Sequence, residues 1–348
     1  MMVAKSRLLE IDCLRGIAAI SVVIFHFTLG TKNILRFGCC GVELFFIISG
    51  FVIFLTIEKT RDYKTFLQSR FARLYPAYWT GVCLTTLVMI VWTRMVNLPL
   101  KFPSLIEFAA NLTMFQYFFR IKDIDGPYWT LTYELLFYLF MVVVYLLKKT
   151  HKIELISWLM LIISLINGTF LRLVYPNIYI TLAGCFPLLI YFPLFIAGII
   201  FYKIKFYQIN LNRGILLALS LSIQIMLFDC TNKSASMNQT EYTVMLTVFY
   251  AIFMLYCFNY LKFIINPVLL FLGKISYSLY LFHDYISYSI LIPFFSHSRH
   301  IHIGHWWLVD FFIVLPIILL MATLINRFIE VPAMVYLKQH RKQVGDAC

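Results

Sequence analysis

Ten apolar runs, each close to twenty residues long, dominate the chain and leave it few ways to fold. They cover Asp12–Gly30, Cys39–Ile57, Tyr75–Met95, Tyr128–Leu147, Ile153–Leu171, Ile178–Tyr202, Asn212–Cys230, Tyr242–Leu261, Ile275–Phe295 and Trp306–Ile325. A helix of that length spans the hydrocarbon core of a bilayer. The chain is 61% hydrophobic and 13% charged, with a mean hydropathy of +0.84, far from a soluble globular domain. The expected fold is all-α: a polytopic membrane protein of about ten transmembrane helices. Pro187 and Pro193 predict a kink or break in the sixth. No internal repeat is visible, which argues against repeat-built transporters.

The formal charge of +13 would suggest nucleic acid in a soluble protein; here it reads as basic loops facing anionic membrane lipid, with no nucleic-acid partner. With both termini on one side, that side receives 20 of the 29 Lys and Arg residues against 9 on the other. Both termini are therefore expected in the cytoplasm. The loop Val96–Pro127 is then external, and its Ser104–Phe119 stretch is apolar enough to lie on or dip into the membrane. Residues 1–335 form the membrane domain and residues 336–348 a basic cytoplasmic tail. The eight cysteines lie mostly in apolar runs without CxxC spacing, so they predict buried thiols and no disulfide framework. The first apolar run contains His26 and no small-residue cleavage site, so no cleavable signal peptide is expected.

Ionisable groups inside apolar helices are costly and mark function by default. Arg15 and His26 are eleven residues apart, nearly three helical turns, so they share a face about 16 Å apart along the axis. Glu43 lies near the outer start of the second run. Glu134 lies about 9 Å into the fourth, with Thr130 and Tyr138 four residues either way on its face. In the ninth run Ser276, Tyr280, His283 and Ser287 form a polar stripe with Asp284 beside it. By topology His26, Glu43, Glu134 and His283 fall at comparable depths and are expected to line a polar chamber. The competing reading is helix–helix glue, a buried carboxylate holding a His or Tyr for assembly. Arg70 and Arg73 share a helix face and suit a pair of phosphate oxygens, although basic residues on a cytoplasmic loop need no ligand.

The residues together resemble the acyltransferase-3 family of integral-membrane enzymes that modify bacterial surface polysaccharides. The resemblance rests on Asp12-Cys-Leu-Arg-Gly-Ile-Ala with His26, Gly41-Val-Glu-Leu-Phe-Phe with Ser49-Gly-Phe51, and Arg70-x-x-Arg73 with Tyr75-Pro-Ala-Tyr-Trp79. It continues in order through Trp129-Thr-Leu-Thr-Tyr-Glu134, Gly273-Lys-Ile-Ser-Tyr-Ser-Leu-Tyr-Leu-Phe-His283 and Glu330-Val-Pro332. Glu43 stands where members commonly have Asp, and Thr130 where they have Ser. The chain ends without the soluble hydrolase-like domain some members carry, so acceptor handling is expected within the membrane domain or with a partner.

The resemblance implies transfer of an acyl group, most often acetyl, from cytoplasmic acetyl-CoA to a sugar hydroxyl of a polysaccharide or lipid-linked glycan, in the bacterial cytoplasmic (inner) membrane. His26 is then the expected general base. Glu43 or Glu134 is expected to orient its ring. Tyr280, His283, Ser49 and Arg15 are candidates for the acceptor or oxyanion site, and Arg70 and Arg73, with Arg15, for holding CoA. No metal is expected: His297, His300, His302 and His305 cluster in an outer loop without carboxylates. Two rivals remain, a proton-coupled transporter in which the intramembrane His and Glu act as a proton relay and a non-catalytic polysaccharide-assembly subunit without chemistry of its own. An arginine phosphate clamp favours the enzyme.

Overall fold

The structure is a computed structural model that describes residues 8–27, 34–60, 62–95, 102–297 and 309–336. Expectations for His300, His302 and His305 and for the basic tail beyond Tyr336 lie outside the described residues. Of those described, 87% are helical and none is in a strand, as the all-α reading requires.

The principal helices are α1 (Leu9–Phe27), α2 (Gly41–Lys59), α3 (Tyr63–Met95), α4 (Leu105–Leu112), α5 (Tyr128–Leu146), α6 (Ile153–Ile166), α7 (Phe192–Tyr207), α8 (Leu211–Met226), α9 (Gln239–Cys257), α10 (Pro267–Phe282) and α11 (Leu315–Ile325). Among the described residues, six helical segments are long and apolar enough to cross a membrane: Leu35–Lys59, Tyr63–Met95, Tyr128–Leu146, Thr150–Val174, Gln239–Cys257 and Asp310–Tyr336. Leu211–Met226, Pro267–Phe282 and Tyr285–Phe295 are shorter apolar helices. The expected sixth run is indeed divided, into Pro176–Cys185 and α7, because neither Pro187 nor Pro193 can donate a backbone hydrogen bond. The third begins at Tyr63 rather than Tyr75, since Pro76 is accommodated inside a continuous helix.

The chain divides into two compact units. The first comprises Met1–Val22, Thr31–Tyr63 and Tyr133–Lys274. Its centre is the pairing of α2 with α7, which approach backbone to backbone. A Cβ on Gly50 would lie 2.1 Å from the Phe195 carbonyl oxygen, and one on Gly198 2.1 Å from that of Ile47. Small residues permit this approach where no hydrophobic driving force separates helix from lipid. Around it Phe195 stacks on Phe137 at 4.3 Å and meets the Phe46 ring in a tilted contact at 4.9 Å. Polar ties hold the helix ends: Lys203 to Glu58 at 3.1 Å, and Arg213 to Glu154 at 2.7 Å.

The second unit comprises Val23–Gly30, Lys64–Thr132 and Ile275–Cys348. Here the segment after α3 doubles back. Ser104 and Glu107 form a reciprocal capping box that starts α4. The carbonyls at its end are bound from α3, Asn111 by Tyr78 at 2.6 Å, Leu112 by Trp79 at 2.9 Å and Thr113 by Tyr75 at 3.0 Å. Those donors precede Met95 by 16 to 20 residues, so the segment returns about 24–30 Å along α3. Leu105, Ile106 and Phe119 stay exposed.

Candidate active site

Helix α1 carries Glu10 and Asp12 in its first turn and His26 in its last, charges that suit the two ends of the helix dipole. His26 emerges into the second unit, where its Nδ1 lies 2.9 Å from Asp284 Oδ1. The ring nitrogen is out of line for a linear hydrogen bond, so the contact is an electrostatic pair at hydrogen-bond distance. The His26 ring also meets His283 edge to face, 4.8 Å between centroids.

Asp284 reaches this position because the helix stops. His283 and Asp284 form a non-helical step between α10 and a π-helical turn, Tyr285–Leu291. π turns inside helices recur at functional sites. The step points the two neighbours differently: His283 is fully buried, while Asp284 and His26 keep 18% and 20% of their side-chain surface exposed. Of the three, only His26 and Asp284 are placed to meet a substrate.

His283 Nδ1 lies 2.8 Å from the Tyr280 carbonyl. A carbonyl only accepts, so Nδ1 carries the proton and a neutral ring leaves Nε2 as an acceptor. Tyr280 and Thr130 hydroxyls lie 2.8 Å apart, and Thr130 donates to the Pro127 carbonyl at 2.9 Å. The single Thr130 proton is thereby used, and Tyr280 is the donor between them. The protons that Tyr280 and His283 would offer an oxyanion are thus engaged in existing hydrogen bonds.

Arg70 and Arg73 stand on α3, both partly exposed, with the Arg70 guanidinium 5.6 Å from the Phe66 ring centre. On the same helix Gly81 faces the Phe282 ring and the Tyr128 hydroxyl, 3.6 and 2.8 Å from where its Cβ would be. Phe282 directly precedes His283. Arg73 and Arg70 therefore stand about 12 and 16 Å along α3 from the level of the histidine.

The other expected site residues have their own partners in the first unit. Glu43 is fully buried and pairs with Lys233 at 3.2 Å, and Lys233 also donates to the Cys39 carbonyl at 2.6 Å. Glu134 accepts from Ser49 at 3.1 Å and from the Tyr138 hydroxyl. Arg15 is half-buried on α1. The carboxylate paired with His26 is Asp284, where the sequence suggested Glu43 or Glu134. Its signal was present, directly after His283, but a continuous helix would have turned it off the stripe. Asp125 and Gly126, which sequence reading passed over, also belong here: Asp125 Oδ1 accepts from the Tyr285 amide at 3.1 Å.

The chain matches the acyltransferase domain model of the acyltransferase-3 family over residues 8–327, and belongs to that family. Among relatives, a protein named "putative O-acetyltransferase" in Staphylococcus aureus strains COL and N315 is 28% identical over 363 residues, 92% of this chain and 56% of the relative. The chain thus spans about half the length of those curated relatives. A "putative acetyltransferase" of Acidianus two-tailed virus is 28% identical over 291 residues, 78% of this chain and 80% of its own length. Nodulation protein 10 of Rhizobium leguminosarum bv. viciae shares 30% identity over 119 residues, 30% of this chain and 32% of its own. No solved structure matches.

Proposed function

We propose that the protein transfers an acetyl or other short acyl group from cytoplasmic acyl-CoA, with acetyl-CoA as co-substrate, to a sugar hydroxyl of a polysaccharide or lipid-linked glycan. Its setting is the bacterial inner membrane, with about ten spans and both termini in the cytoplasm. The observation that carries this reading is the His26–Asp284 pair, which keeps part of its surface exposed in a chain that matches the acyltransferase domain model. The names of the Staphylococcus aureus relatives support the O-acetyl assignment.

A sugar hydroxyl is a weak nucleophile at neutral pH. His26 Nε2 takes its proton as the oxygen attacks the thioester carbonyl, and Asp284 at Nδ1 orients the ring and balances the imidazolium. The new C–O bond forms, the C–S bond breaks, and the proton on His26 passes to the leaving CoA sulfur. Arg15, about 16 Å from His26 along α1, is kept as a candidate for holding CoA rather than as the oxyanion donor. Tyr280 remains an acceptor-site candidate in the second unit and Ser49 in the first, while the fully buried His283 is not one. Glu43 and Glu134 act as helix-holding carboxylates, through Lys233 and through Ser49 and Tyr138. A carrier or assembly subunit needs no phosphate clamp, whereas acyl-CoA does. Purified protein in lipid vesicles should release CoA thiol from acetyl-CoA only when glycan is added; release independent of glycan would sink the transferase reading.

Arg70→Ala and Arg73→Ala are each expected to raise KM for acetyl-CoA about ten- to a hundredfold, with KM for glycan unchanged, because a charge-assisted contact to phosphate contributes about 1.5–3 kcal/mol. Lysine should restore only part, lacking the two-pronged geometry. Unaltered acetyl-CoA kinetics in both alanine variants would remove the clamp.

The orientation is testable by thiol labelling. Cys39 and Cys40 are buried and make poor reporters, while Lys122 and Lys262 are exposed. In intact cells an impermeant maleimide should label Lys122→Cys and spare Lys262→Cys. The reverse pattern would invert the topology.

A further inference from the structure

Asp125, in the short turn before α5, is a buried acid that this chemistry leaves unused. It is 1% exposed, although carboxyl groups are rarely fully buried without a partner. Its Oδ1 accepts the Tyr285 amide hydrogen at 3.1 Å, and its Oδ2 has no hydrogen-bond partner among the described residues. Tyr285 is the residue directly after Asp284. On the other side of the same turn, a Cβ added to Gly126 would lie 2.0 Å from Asp284 Oδ2. The two residues of the turn therefore hold Asp284 from both ends, Asp125 through the backbone behind it and Gly126 against the carboxylate itself.

We propose that Asp125 and Gly126 are positioning residues, which pin the break after α10 so that the Asp284 carboxylate faces His26. This inference rests on the His26–Asp284 reading above. The break is the reason such a device is required. The step at His283–Asp284 interrupts regular helical hydrogen bonding, and the Tyr285 amide finds its acceptor on another element. Burial first, and the negative charge of Asp284 second, push the Asp125 carboxyl well above the usual carboxylate range, which favours its protonated form. In its protonated form Asp125 accepts the amide hydrogen without placing a second negative charge beside Asp284. What the turn needs from residue 125 is an oxygen acceptor of this length, not a charge.

The test compares Asp125→Asn, Asp125→Ala and Gly126→Ala in the purified full-length protein, each checked for monodispersity. Asn keeps the acceptor oxygen and is expected to retain kcat within about twofold of wild type. Ala removes the acceptor, and an Ala at 126 displaces the Asp284 carboxylate; each should lower kcat about tenfold or more, because small misplacements of a reacting group are costly. KM for acetyl-CoA should stay at the wild-type value in all three. Where Asp125→Ala does not fold, Gly126→Ala, which leaves every hydrogen bond of Asp125 in place, gives the reading. Wild-type kcat in the folded Ala variants would overturn the proposal, as would Asn losing as much as Ala. The wild-type protein run alongside separates the two levels: if it transfers no acyl group, the transferase reading itself fails.

Discussion

His26→Ala abolishes acyl transfer in this account, lowering kcat by about 10²–10⁴, the range a positioned general base supplies. KM for acetyl-CoA should change little, because the arginines proposed to hold CoA stand about 12–16 Å away along α3. His26→Gln should be equally inactive, since an amide offers a hydrogen bond but accepts no proton at neutral pH. A structural histidine behaves differently: its loss would lower the yield of folded protein, and whatever folded would still turn over. Kinetics on monodisperse His26→Ala protein separate these outcomes, and residual transfer near the wild-type rate would end the catalytic assignment.

Asp284→Asn is expected to cost about 10² in kcat, less than removal of the base and more than any other carboxylate-to-amide change in the chain. The amide is isosteric but lacks the charge that balances the imidazolium, and it presents an NH₂ as readily as an oxygen to His26 Nδ1. Glu43→Gln and Glu134→Gln serve as the controls. Their partners are Lys233 for one and Ser49 and Tyr138 for the other, so their effects should fall mainly on folded yield. Steady-state kcat for the three amide variants gives the comparison. An Asp284→Asn enzyme with kcat within threefold of wild type, beside an inactive Glu134→Gln, would return the orienting role to the residue the sequence suggested.

Much of this is legible in the sequence, for physical reasons that differ between residues. The all-helical membrane class follows from apolar length alone. His26 stood out because an imidazole in an apolar helix demands an explanation, and Pro187 and Pro193 announced the break between Pro176–Cys185 and α7 by their missing donors. Asp284 was visible only as a neighbour of a polar stripe. Reading a stripe assumes an unbroken helix, and the non-helical step at His283–Asp284 is what turns the acid toward His26. Glu43 shows a second limit. Its partner Lys233 comes from a polar turn 190 residues later, and no local periodicity reports so distant a pairing. Asp125 and Gly126 looked like ordinary turn residues, since their partners are a backbone amide and a carboxylate beyond α10.

The central claim is that this chain moves an acyl group from acyl-CoA onto a sugar hydroxyl, and mass analysis of the surface glycan tests it most directly. Cells expressing the wild-type protein should carry glycan repeat units heavier by one acyl substituent, most simply acetyl, released by mild alkali as an ester must be. Cells expressing His26→Ala at matched membrane levels should show the unmodified mass. Identical glycan masses with the wild-type protein, the His26→Ala variant and no protein at all would contradict the account.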